Sequence, residues 1–327
     1  MRSKFILAII FILPILYIWS CNRNQHTVKT SDFRFPVSLA SLGFFKDELS
    51  DLIPNEGVIT YELSSTLFTD YAEKQRLIKL PKGKKMVLKG DGLPVFPEGT
   101  MIAKTFFYDG LPGEKTKQII ETRVLLLKKG KWFAGTYKWD KAQTRASYTD
   151  QSSTVPVEYR DNKGRYLHIS YHIPSAEECQ SCHRFADETI PIGPKAMNMN
   201  RLVMVKGKAV NQLEAFKTLN VLSVGKTDNI SILPAYLDKN TSLEHRARAY
   251  LEINCAHCHN PAGMAYQQTV MLGYKVPLEQ SGIRFKKDNI ADRISAMGPF
   301  HMPKIGTTIL DKEGVELIRS YLKSLPQ

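Results

Sequence analysis

Two pentapeptides of the form Cys-x-x-Cys-His account for four of the five cysteines in this 327-residue chain: Cys179-Gln-Ser-Cys182-His183 and Cys255-Ala-His-Cys258-His259. Two thiols one helical turn apart can form thioethers to the two vinyl groups of one porphyrin, and the histidine that follows can ligate its iron from one side. The implied chemistry is covalent attachment of haem c, twice. Cys179, Cys182, Cys255 and Cys258 would be the attachment points, with His183 and His259 as iron ligands. Zinc sites or disulfides built from the same cysteine pairs form the competing reading, but zinc gives no reason for a histidine directly after both pairs.

Rigid elements must present such motifs, and the flanking residues supply them. Ser175-Ala-Glu-Glu178 reads as a capping box that starts a helix, placing Cys179, Cys182 and His183 on one face by i, i+3, i+4 spacing. Thr241-Ser-Leu-Glu244 reads as a second box, before a helical run from His245 to Ile253. Downstream lie the loop Met297-Gly-Pro-Phe-His301-Met302-Pro303 and a final helix capped at Asp311, with Val315, Ile318, Leu322 and Leu325 along one face.

This order of helix, haem motif, Met-Pro loop and terminal helix resembles the small class I cytochrome c fold. The resemblance implies His259 as proximal and Met302 as distal ligand, a pairing that raises the reduction potential. Met297 and His301 compete for the distal place, but Pro303 makes Met302 the better match. His257 is read as a spacer. At the first motif the distal ligand stays open among His168, His172, Met197, Met199 and Met204, none of which sits in a Met-Pro loop. An open iron position there is where catalysis would enter.

Ahead of the motifs, from about Phe35 to Pro174, the chain reads as β-rich. Extended runs at Met101 to Tyr108, Ile119 to Leu127, Trp132 to Trp139 and Arg165 to Ile173 alternate with separators such as Lys129-Gly130 and Asn162-Lys163-Gly164. A sandwich or barrel-like domain with aromatics in its core is expected.

At the amino terminus Arg2 and Lys4 precede an apolar run from Phe5 to Trp19, which at about 15 residues suits a secretory signal better than a membrane span. Ile18-Trp19-Ser20-Cys21 resembles a bacterial lipobox, so Cys21 is the expected lipidation site and Asn22 to Thr30 a tether. The segmentation is signal 1–20, tether 21–34, β-rich domain 35–174, first haem-binding segment 175–230 and cytochrome c-like domain 231–327. The fold class is α+β multidomain, β-rich first and helical last. A formal net charge of +13 includes a cluster from Lys74 through Arg76, Lys79, Lys82, Lys84, Lys85 and Lys89. For an exported protein this excludes nucleic acid as the natural target; it reads as a solvated face or a dock for an acidic redox partner or anionic membrane.

Over nearly the whole mature chain the arrangement resembles a family of bacterial exported dihaem c-type cytochromes of unassigned role. The resembling segments are Tyr61 to Tyr71, Phe96 to Thr100 with Lys104 to Phe106, Glu121 to Arg123, Ile173 to Ser175, and Asn254-Cys255. The resemblance implies two covalent haems and electron transfer in the cell envelope, lipid-anchored on the periplasmic side or outer membrane. The alternative is a dihaem peroxidase or dehydrogenase, with the first haem or the β domain as substrate site. Against two full cytochrome domains, only 72 residues lie between Cys182 and Cys255.

Overall fold

Short runs of apolar and β-branched residues bounded by turn residues form strands, nearly continuous in apolar character where both faces are covered and alternating where one face meets water. In the computed structural model, which describes residues 33–109, 117–161, 164–224 and 229–326, these strands form the first half of the chain. The expected signal, Cys21 and the tether from Asn22 to Thr30 lie outside the described residues. Among the described residues no helix is long and apolar enough to cross a membrane.

The main sheet is six-stranded and antiparallel. It comprises β1 (Val58–Thr60), β2 (Glu73–Lys79), β4 (Met101–Tyr108), β5 (Gln118–Lys128), β6 (Lys131–Trp139) and β7 (Ala146–Thr149), in the order β1-β2-β4-β5-β6-β7. The β5–β6 turn falls on Lys129 and Gly130, both at positive φ (53° and 71°), as a two-residue hairpin requires. The outermost strands do not pair with each other, so the sheet is open and not a barrel. A separate hairpin, β8 (Ser153–Arg160) with β9 (Tyr166–Ile173), packs Val157, Ile169, Tyr171 and Ile173 against Phe106, Tyr108 and Ile120. The short strand β3 (Met86–Leu88) pairs in parallel with Leu222–Val224.

The helices follow: α1 (Ala176–His183), α2 (Ala196–Met199), α3 (Gln212–Thr218), α4 (Leu243–Asn254), α5 (Leu278–Ser281), α6 (Lys287–Ser295) and α7 (Lys312–Ser324). Ile78, Ile102 and Leu125 of the sheet pack with Ala196, Met199, Leu213 and Phe216 of α2 and α3. In a second core α4 and α7 bring together Tyr250, Leu251, Ile253, Leu317, Ile318, Tyr321 and Leu322. Gly314 permits this crossing, because a β-carbon there would collide with the Tyr250 ring. Val315 and Leu325 are half-buried, so the inner face of α7 centres on Leu317, Ile318, Tyr321 and Leu322.

Pro36–Gln327 forms one compact unit. The segment from Tyr61 to Tyr71 is the strap within it. The Phe68 amide donates to Asn254 Oδ1 at 2.8 Å, the buried Asp70 carboxylate accepts from the Thr308 amide at 2.8 Å, and Tyr71 Oη donates to Glu313 at 2.9 Å.

Candidate functional site

Helix α1 begins at the expected capping box: Ser175 Oγ accepts from the Glu178 amide at 3.2 Å and Glu178 Oε2 from the Ser175 amide at 2.8 Å. His172 holds the same carboxylate at 2.9 Å. The cap of α4 falls one residue later than expected. Ser242, not Thr241, accepts from the His245 amide, at 3.3 Å, because either neighbouring hydroxyl can cap and the helix begins at Leu243. Asp311 caps α7 as expected, through the Gly314 amide at 2.9 Å.

Cys179, Cys182 and His183 line a cleft of about 1240 Å³, counted out to its open mouth. Its other walls come from the sheet, from Pro191 to Pro194, and from Pro303 of the Met-Pro loop with Ile305 and Gly306 just beyond it. Ile253 and His257 line it too, so the second motif borders the cleft of the first. The segments that follow the two motifs meet where the Ala186 amide donates to the Ala262 carbonyl at 2.6 Å. Burial, with Cys258 nearby as the next cause, pushes the Cys182 thiol up to about 11. All four described cysteines are free thiols.

His183 Nδ1 lies 2.7 Å from the Ile190 carbonyl, which can only accept. Nδ1 therefore bears the proton and Nε2 the lone pair, the tautomer an iron ligand needs. Burial pushes the imidazole down to about 3 against the opposing pull of that carbonyl, so it stays neutral. His259 is also pushed down, by burial first, with the Val270 carbonyl opposing and the Arg293 charge adding. Its Nδ1 is buried, and the Val270 carbonyl is the acceptor that favours a proton on the ring. The residues of both motifs have the chemistry covalent haem needs: free cysteine pairs, imidazoles whose neutral form burial favours and, at the first, a fixed tautomer on the cleft.

The Met-Pro loop is tied to α6, where the Met302 amide donates to the Arg293 carbonyl at 3.0 Å and Arg293 Nε to the Phe300 carbonyl at 2.9 Å. Both ring nitrogens of His301 are engaged, by the Ala296 carbonyl at 2.9 Å and Thr307 Oγ1 at 3.4 Å. Met297 is exposed, whereas Met302 is half-buried. Of the three candidates, Met302 thus has the free donor atom and the partly sheltered position.

None of the five candidates for the first distal ligand lines the cleft. His168 is exposed beside Glu158, His172 is held by Glu178, Met197 and Met199 are packed in the two cores, and Met204 is exposed. His257, read from sequence as a spacer, does line it, with Nδ1 buried and the Ile253 carbonyl of the preceding turn favouring a proton on the ring.

The basic cluster divides. Lys82, Lys84, Lys85 and Lys89 are exposed, as a solvated face requires. Lys74 and Arg76 instead line the cleft, joined by Lys104 and Arg123. Strand register aligns them: Arg76 pairs with Lys104, Lys104 with Arg123, and Arg123 with Thr136. Thr136 Oγ1 in turn lies 3.7 Å from Cys179 Sγ. Arg123 is held by the buried Glu121 through Nε at 3.0 Å and Nη2 at 2.5 Å, and Tyr171 Oη donates to Glu121 at 2.7 Å. No sequence signal distinguishes Lys74 and Arg76 from their exposed neighbours; the pairing register alone reveals their role. Among the described residues, no group of three or more His, Cys, Asp or Glu side chains is arranged to hold a metal ion, as a joint zinc site would need. No family model, curated protein or solved structure matches this chain.

Proposed function

We propose that this protein is a dihaem c-type cytochrome that transfers electrons in the bacterial cell envelope. The observation that supports this most is the cleft lined by Cys179, Cys182 and His183, with His183 in the ligating tautomer and His257 of the second motif at its border. Covalently held haem supplies one-electron redox chemistry at each motif. The chain's own part is to seat, orient and shield. Ser175 and Glu178 fix the start of α1, and Asn254 anchors the end of α4 through Phe68. Asp70 holds the chain just beyond the Met-Pro loop. Adjacent motifs suit electron passage from one site to the other.

In this reading His183 and His259 are the proximal ligands and Met302 the distal ligand of the second site. The packing of α4 on α7 and the tethered Met302 support a class I cytochrome c-like arrangement for the C-terminal part. Cys21 would bear the lipid anchor, holding the protein on the periplasmic side or at the outer membrane, and the exposed lysines from Lys82 to Lys89 would meet an acidic redox partner. A spectroelectrochemical titration of protein made with a haem-maturation system tests the proposal. Two one-electron transitions are expected; a chain without reversible redox transitions overturns it.

A further inference from the structure

The sheet face beneath the cleft has three zones. At one end Ile78, Ile102 and Leu125 are covered by α2 and α3; at the other, Phe106 and Glu121 are covered by β9 through Tyr171. Between these covers run Arg76, Lys104 and Arg123, side by side on adjacent strands, with Lys74 two residues from Arg76 on the same face. Like charges directly opposite in an antiparallel ladder destabilise it, and partly buried cations need counter-charge. Glu121 answers Arg123. Among the described residues no carboxylate lies within ion-pair distance of Lys74, Arg76 or Lys104; Lys104 instead sits over the Phe106 ring, 4.9 Å from its centroid. Three cations with no carboxylate at ion-pair distance, which Glu62, Glu73 and Glu121 offset only from further away, line the cleft together with Cys179 and Cys182 and describe a place for negative charge there.

We propose that Arg76, Lys104 and Lys74, backed by Arg123, form an oxyanion seat that binds a pair of carboxylates in the cleft of the first motif. Guanidinium and ammonium groups together offer both forked and point-charge donors to such a pair. Two sources present this chemistry: the propionates of a haem attached at Cys179 and Cys182, or a free small dicarboxylate. The first source rests on the dihaem reading; the seat itself does not.

The test uses holoprotein and the single variants Arg76→Leu and Lys104→Met. Arg123 is left in place because its removal would strand the buried Glu121 carboxylate. Retention of wild-type haem content and circular dichroism identifies folded variants, and Lys74→Met serves as a third if either fails. If haem propionates occupy the seat, each variant weakens reduction of the first haem about tenfold, a downward shift of about 59 mV for a one-electron couple. The second haem then stays unchanged and succinate titrated into the wild type has no effect. If the seat takes a free dicarboxylate, succinate binds the wild type by calorimetry and binding falls at least tenfold in each variant. Unchanged first-haem potential together with no succinate binding overturns the seat. Should the first motif hold no haem, the dihaem reading fails, and the succinate arm alone then decides the seat.

Discussion

Arg76 and Lys104 face each other directly across the β2–β4 ladder, on the sheet face that lines the cleft of the first Cys-x-x-Cys-His motif. Their opposition has a pH signature. Burial first, then Arg76 and Lys104, push Lys74 from 10.5 down to about 7, with Glu73 opposing and Arg123 adding. Burial first, then Arg123 and Arg76, bring Lys104 to about 7 as well, with Glu121 and Cys179 opposing. Both folded-state values lie below the unfolded one, so the unfolded chain binds more protons between about pH 7 and 10.5. Stability of a haem-free C179A/C182A/C255A/C258A chain should therefore rise with pH across that window. Urea midpoints measured from pH 7 to 10 check this, and the K74M/K104M version should give a flatter profile.

Asp70 ties the strap to the loop beyond Met302. It has φ 51° and accepts from the Thr308 amide, the Thr308 hydroxyl and the Ile309 amide. Asp70→Ala should cost about 1–3 kcal/mol through unsatisfied donors. Asp70→Asn, which keeps one acceptor oxygen and tolerates the left-handed backbone, should cost less. Denaturant unfolding of the two variants gives the comparison; equal losses would assign the effect to charge alone.

At the α4–α7 crossing the usual helix rule should reverse. Glycine to alanine inside a helix normally stabilises by about 0.5–1 kcal/mol. Gly314→Ala should instead destabilise by about 1–3 kcal/mol, because the new methyl meets the Tyr250 ring, whose hydroxyl donates to Asp311 at 3.0 Å. Thermal unfolding reads the sign directly.

Met302 and Met297 should behave differently. Met302→Ala should lower the potential of the second haem by removing a thioether ligand, while Met297→Ala, at an exposed position, should leave it unchanged. Potentiometry on both variants distinguishes them.

What could be read in the sequence was mostly local. Met101 to Tyr108 is legible as a strand because a short, largely apolar run is bounded in sequence by the turn residues Gly99 and Gly110, and Ser175 with Glu178 forms its box because both partners lie within one turn. Thr241 and Ser242 are both competent caps, so the cap of α4 could not be assigned from residue type alone. Lys74 and Arg76 resemble Lys82 and Lys84 in sequence. Only the register of β2 on β4, and of β4 on β5, sets them beside Lys104 and Arg123, and for Arg76 the partner lies 28 positions away. His257 was obscure for a related reason: its own motif identifies it as a spacer, while its surroundings come from the cleft of the other motif.

The account stands most directly on the number of covalent haems. A pyridine haemochrome count, paired with a haem-stained denaturing gel, should give two per chain for the wild type and one each for C179A/C182A and C255A/C258A. A count of one in the wild type, unchanged by C179A/C182A, would contradict the assignment of the first motif; a count of zero would contradict the whole.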